Sequence, residues 1–199
     1  MLERDLRSSL LARQSVAPDI VMLVGRPGVG KYTVGRRLAA ATGYRLLHNH
    51  AVVDLASSLF DFGTPEFVAL REQLWLTVIA ASLDGQVPGL IVTFAPERTV
   101  SDSFLPALAA LASSREARLR WIELHCADVT IEQRLGDESR SAFGKLRDVV
   151  LYRQLVADGV FERPVMPSPE RRISTELQSA AKAAAEIATH LGFGPVPNS

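Results

Sequence analysis

The sequence predicts an α/β fold, a mainly parallel sheet with helices on both faces. Three observations predict it. Short apolar runs of strand length alternate with longer stretches of helical period. These runs are apolar throughout rather than at every second position, the pattern of strands buried on both faces. The first run passes directly into a glycine-rich bend and then a helix, which opens a β–α–β unit.

The elements follow in order. Ile20 to Val24 (IVMLV) is a buried strand stopped by Gly25. Lys31 to Thr42 has helical spacing and ends before Gly43, a C-cap residue. Tyr44 to Leu47 is a second strand that runs into His48-Asn49-His50, and residues 51–60 read as helical. Thr64 before Pro65 and Glu66 is a helix-start pattern, so a long helix runs from Pro65 to about Leu83. Leu90 to Phe94 (LIVTF) is the third strand, 101–115 a helix, Arg120 to His125 the fourth strand, and Asp128 to Gly136 a helix. A charged stretch, 137–147, continues as a helix to Leu155. A proline-rich loop (163–170), a short fifth strand (Arg172 to Thr175) and an alanine-rich helix (176–191) complete the chain.

Composition limits the function classes. A chain of 199 residues favours one domain and buries a full core without staples. Lys plus Arg and Asp plus Glu are both 22, so the formal charge is zero. That balance gives no support to nucleic-acid or membrane-surface partners. No segment approaches the ~20 apolar residues of a membrane span, and the N-terminus is charged where a signal peptide would be apolar. A single cysteine, Cys126, rules out an internal disulfide and suits a reducing cytosol, so a cytoplasmic location is expected. The oligomeric state stays open.

The chemistry is carried by Gly25-Arg26-Pro27-Gly28-Val29-Gly30-Lys31, the spacing G-x-x-x-x-G-K of a phosphate-binding loop. A polyphosphate needs several donors converging on its oxygens. Backbone N–H groups converge only where the chain bends sharply, which glycine permits. The helix that follows presents its N-terminal N–H groups and positive dipole end to the anion. Lys31 adds a mobile cation near the β and γ phosphates. ATP is therefore the expected cofactor, bound through Gly25, Pro27, Gly28, Val29, Gly30, Lys31, Tyr32 and Thr33. The residue after the lysine is Tyr32, where a Ser or Thr would hold Mg²⁺. Thr33 suits an α-phosphate contact. The third strand ends in Thr93-Phe94 with no acidic residue. Mg²⁺ is accordingly expected to be held through phosphates and waters.

The loop, the segment after the second strand and the charged stretch at 134–147 together resemble the nucleoside-monophosphate-kinase-like P-loop kinases, the group of shikimate kinase, gluconate kinase and chloramphenicol phosphotransferase. The resemblance implies a three-layer P-loop NTPase fold with a five-stranded parallel sheet in the order 2-3-1-4-5. It implies a core over about 18–192, a substrate-binding insert at about 48–85 and a lid at about 134–150. The implied activity is transfer of the γ-phosphoryl group of ATP to a hydroxyl of a small molecule. The alternative is a nucleotide-binding regulatory or low-turnover NTPase module. By position, Asn49, His50 or Asp54 would orient or deprotonate the acceptor hydroxyl, with His48 and Thr93 nearby. Arg71 would clamp an anionic group of the acceptor, and Arg134 and Arg140 would stabilise charge on the transferring phosphoryl group, with Lys145 and Arg147 also in the lid. Shikimate kinases carry an aspartate pair after strand two and a triple glycine after strand three. Here those places hold His48-Asn49-His50 and Thr93-Phe94-Ala95-Pro96, which points away from shikimate. A protein metal site is the competing reading of His48, His50, His125 and Cys126. His48 and His50 would lie three strand spacings, roughly 14 Å, from His125 and Cys126, too far to share one ion, so none is expected.

Overall fold

The computed structural model describes residues 17–135, 148–161 and 165–194. Five strands, β1 (Asp19–Val24), β2 (Arg45–Leu47), β3 (Gly89–Phe94), β4 (Arg118–His125) and β5 (Arg171–Ser174), form one sheet in the order β2-β3-β1-β4-β5. Every pairing is parallel. The described helices are α1 (Lys31–Thr42), α2 (Asn49–Ser57), α3 (Pro65–Asp84), α4 (Phe104–Ser114), α5 (Asp128–Leu135), α6 (Val149–Ala157) and α7 (Ala180–His190). This is the three-layer α/β arrangement of P-loop proteins, with β1 at the centre of the sheet.

The uninterrupted apolar run of β1 is explained by its two covered faces. Ile20, Met22 and Val24 pack with Trp75 and Ile79 of α3 and with Phe104 and Leu108 of α4. Val21 and Leu23 pack on the other side with Val34 and Leu38 of α1 and with Ala183 and Ile187 of α7. Burying each such aliphatic side chain contributes roughly 1.5–3 kcal/mol. Trp75 and Trp121 both belong to the first of these clusters. A third, smaller cluster joins α5 to α6 through Ile131, Leu135, Tyr152 and Phe161.

Three helix boundaries differ from the sequence expectation, each through a cap. Helix α6 does not continue from the charged stretch. Asp148 is extended, and its Oδ1 accepts from the Val150 and Leu151 N–H groups, so a new helix starts at Val149. Helix α7 begins four residues later than expected because Ser179 Oγ accepts from Lys182 N–H. Helix α2 begins earlier, at Asn49. Its cap comes from another strand, with the Asn49 N–H donating to Thr93 Oγ1 of β3 at 2.9 Å. The predicted cap of α3 is present, Thr64 Oγ1 accepting from Phe67 N–H. Tertiary partners therefore move helix ends where local propensity alone is weak.

Candidate active site

The bend after β1 lies at the C-terminal edge of the sheet, where open parallel sheets bind ligands. Gly25 N–H donates to the Phe94 carbonyl at 3.2 Å, tying the loop to β3. A Cβ on Gly25 would overlap the Leu124 carbonyl oxygen of β4, and one on Gly28 would come within 2.7 Å of Ile131. The glycines are thus required by close packing on two elements. Gly30 is left-handed (φ 99°) and caps α1 without a side-chain bond, and the first turn carries no acidic residue. The helix end is therefore open to an exogenous anion.

This end forms one wall of a cavity of about 1090 Å³. Pro27, Gly28, Val29, Gly30, Lys31, Tyr32 and Thr33 all line it, so the structure brings these predicted loop residues together, whereas Gly25 lines a second cavity. Lys31 Nζ donates to the Gly25 carbonyl at 2.5 Å and to the Arg26 carbonyl at 2.9 Å, which folds the ammonium back across the loop. Arg134 reaches the same wall from α5. Its guanidinium donates to the Thr175 carbonyl at 2.7 Å, to Thr175 Oγ1 at 3.1 Å and to the Val29 carbonyl at 3.4 Å. Thr175 Oγ1 in turn donates to the Val29 carbonyl at 2.8 Å. Thr175 follows β5 directly, and sequence reasoning had not picked it out. Its signal was its place at a strand end in the phosphate-loop sheet. Arg140, with Lys145 and Arg147, lies outside the described residues.

His48, Asn49, His50, Asp54 and Thr93 line the same cavity. Here the Tyr32 substitution finds its explanation. Its ring packs against His48, centroids 4.3 Å apart, and His48 stacks on His50 at 4.9 Å. The phenol therefore joins a three-ring ladder rather than the place of a metal-holding hydroxyl. Thr93 is buried, and its Oγ1 accepts from the Asn49 N–H at the start of α2. Asn49 Oδ1 is buried and has no hydrogen-bond partner. Buried acceptors of this kind are rare and mark a place where a ligand donor fits.

Arg71 requires a correction. It does not border the cavity. Its side chain is 1% exposed and donates to the Thr99 carbonyl at 3.0 Å and to Thr99 Oγ1 at 3.2 Å. Glu97 lies 3.6 Å away and Glu72 3.9 Å. The guanidinium also sits over the rings of Trp75 and Phe67, 4.9 and 5.2 Å from their centroids. A cation held this way is not available to clamp an acceptor. Its partner Glu97 does line the cavity. Burial pushes the Glu97 carboxyl above its ordinary range, against the pull of Arg71, the Thr99 hydroxyl and Lys31. Glu97 was missed because it stands three residues past the strand end, beyond the position where an acidic residue was sought.

A second cavity of about 830 Å³ lies over β4, between Gly25 and the loop before β5. Pro167 borders this second space, which Gly25, Arg26 and Val29 also line.

No protein-family model matches the chain. It is 27% identical over 183 residues to a shikimate kinase of Corynebacterium efficiens, covering 88% of this chain and 98% of that one. Among solved structures, a sugar kinase from Janibacter superposes with a TM-score of 0.60 at 18% identity, covering 90% of this chain and 96% of that one. A shikimate kinase from Acinetobacter baumannii in complex with shikimate superposes with a TM-score of 0.55 at 20% identity, covering 91% and 97%. These likenesses carry the expected resemblance to P-loop small-molecule kinases across almost the whole chain, and the solved structures share its fold.

Proposed function

We propose that the chain is an ATP-dependent phosphotransferase that moves the γ-phosphoryl group of ATP to a hydroxyl of a small molecule. One observation carries this reading: a single cavity is lined by the phosphate loop with Lys31 and Arg134 and also by Asn49, His50 and Asp54. In the reaction, the acceptor oxygen attacks the γ-phosphorus, the bond to the β,γ-bridging oxygen breaks, and ADP leaves. The acceptor proton passes to His50 or Asp54. The loop N–H groups, Lys31 and Arg134 hold the negative charge that spreads over the transferring group.

Among the described residues no group of three or more His, Cys, Asp or Glu side chains is placed to hold a metal ion. Tyr32 is turned onto His48. These residues fit Mg²⁺ that arrives with the nucleotide and keeps its phosphate and water ligands, as this ion does in many such sites. When bound, the ion neutralises phosphate charge. The same tyrosine favours a second reading, a nucleotide-binding module with little turnover. Among the described residues no helix is long and apolar enough to cross a membrane. A cytoplasmic location, where ATP is plentiful, is part of the proposal.

The test is ATP depletion against a panel of sugars, acids, nucleosides and antibiotics with Mg²⁺ or Mn²⁺. Acceptor-dependent turnover that falls at least 100-fold in Lys31→Ala supports the transferase. Tight ATP binding with no acceptor-dependent turnover supports the second reading. A Lys31→Ala protein that binds and turns over ATP like the wild type overturns both.

A further inference from the structure

Helix α5 holds the phosphate loop at three successive points. Asp128, the first residue of α5, accepts through Oδ1 from Arg26 Nη1 at 2.8 Å. Ile131 packs so close to Gly28 that a Cβ there would come within 2.7 Å of it. Arg134 donates to the Val29 carbonyl at 3.4 Å. Residues 128, 131 and 134 follow one another at the i, i+3 spacing that brings helix side chains together. Helix α5 is in turn tied to α6. Tyr152 is 1% exposed and packs with Ile131, Leu135 and Phe161, and its hydroxyl donates to the same Asp128 Oδ1 at 3.2 Å.

Arg26 is where this support meets Lys31. Its side chain ends on Asp128, while its own carbonyl accepts from Lys31 Nζ at 2.9 Å and from the Val29 N–H at 3.3 Å. A shift of the Arg26 backbone therefore shifts the ammonium and the bend together. Arg26 and Asp128 line the second cavity and Lys31 lines the phosphate-loop cavity, so the link joins one space to the other. We propose that Arg26 is a positioning residue for nucleotide binding: Asp128 and Tyr152 hold its guanidinium in place, and its carbonyl thereby sets where Lys31 and the bend stand. This rests on the phosphate loop taking a nucleotide and is independent of any acceptor. An ion pair as exposed as Arg26–Asp128, 34% and 53%, adds little to global stability. Its effect is local, because it orders part of the loop before a phosphate arrives.

The test is the affinity of the full chain for a non-hydrolysable ATP analogue, measured by isothermal titration calorimetry. Variants are compared once thermal unfolding places their Tm within about 4 °C of the wild type, the range expected for losing a weak surface pair. Arg26→Gln and Asp128→Asn should each weaken binding by about threefold or more. The double variant should be no more than about twofold weaker than the worse single, since both break one link. Arg26→Lys, which keeps a cation for Asp128, should stay within about twofold of the wild type. Asp128→Asn gives the deciding sign. A guanidinium that acted only by attracting polyphosphate would bind it more tightly once its anionic partner was removed. Should either charge variant fold poorly, Tyr152→Phe keeps both charges and the ring packing, and loss of its hydroxyl should still weaken binding measurably. Unchanged or tighter binding by Asp128→Asn overturns the proposal, as do losses at Arg26 and Asp128 that simply add. Lys31→Ala distinguishes the two possible failures. If it abolishes binding while Asp128→Asn does not weaken it, positioning by Arg26 falls and the nucleotide reading stands. If Lys31→Ala binds the analogue like the wild type, both fall.

Discussion

Replacing Arg71 by Met should destabilise the protein by about 3–5 kcal/mol, the usual cost of removing one partner from a buried ion pair. The geometry supports a figure of this size. Glu97 at 3.6 Å and Glu72 at 3.9 Å would each attract the guanidinium by about 4–5 kcal/mol at an effective dielectric of ~20, before desolvation offsets much of it. Methionine keeps most of the packing against Trp75 and Phe67, so the loss reports charge rather than volume. The cost should depend on pH. Glu97 already titrates above its ordinary range because it is buried. A carboxyl raised in the folded state adds stability below its unfolded value of ~4.3 and loses it as pH rises through the folded value. Without Arg71 the folded value rises further, so the variant should lose more at pH 8 than at pH 5. Urea unfolding followed by tryptophan fluorescence at both pH values measures this. A loss below about 1 kcal/mol at pH 8, or one that shrinks between pH 5 and pH 8, would refute the account of Arg71 as a buried counter-charge.

The remaining expectations concern the loop and its neighbour. Gly25→Ala should cost more stability than Gly30→Ala, because a Cβ at Gly25 meets the Leu124 carbonyl while one at Gly30 meets nothing within 4 Å. The Gly30 change then carries only its left-handed strain of about 1–2 kcal/mol. Thermal unfolding of both variants checks the order, and equal losses would count against the packing argument. Glu97→Gln removes a group with a raised folded-state value, so wild type should lose stability relative to this variant as pH climbs above the ordinary carboxylate range. A constant difference from pH 4 to pH 8 would contradict it.

Much of the fold was legible because it rests on local rules. The run Ile20–Val24 announced a strand covered on both faces, and packing of that kind leaves no polar alternation to find. The loop spacing placed Pro27 to Lys31 at the cavity. What escaped is what depends on contacts between distant segments. The start of α2 is set by a hydroxyl on β3, 44 residues away, and no local pattern at Asn49 encodes that. The α6 boundary was misread because Asp148 looked like one more charge in a charged stretch, although it caps a new helix. Arg71 looked like a ligand clamp because its spacing on α3 suited one. Its burial is decided by Glu97 on the far side of β3, which sequence spacing does not reveal.

Those distant contacts change the chemistry of the cavity. A buried arginine and a cavity carboxylate form one unit, with Arg71 held inside the protein and Glu97 at the cavity wall. Lys31 and Arg134 are held in the same manner, Lys31 on the Gly25 and Arg26 carbonyls and Arg134 on the Thr175 and Val29 carbonyls, so the protein's own oxygens fix the two cations that the proposed transfer would use on phosphate.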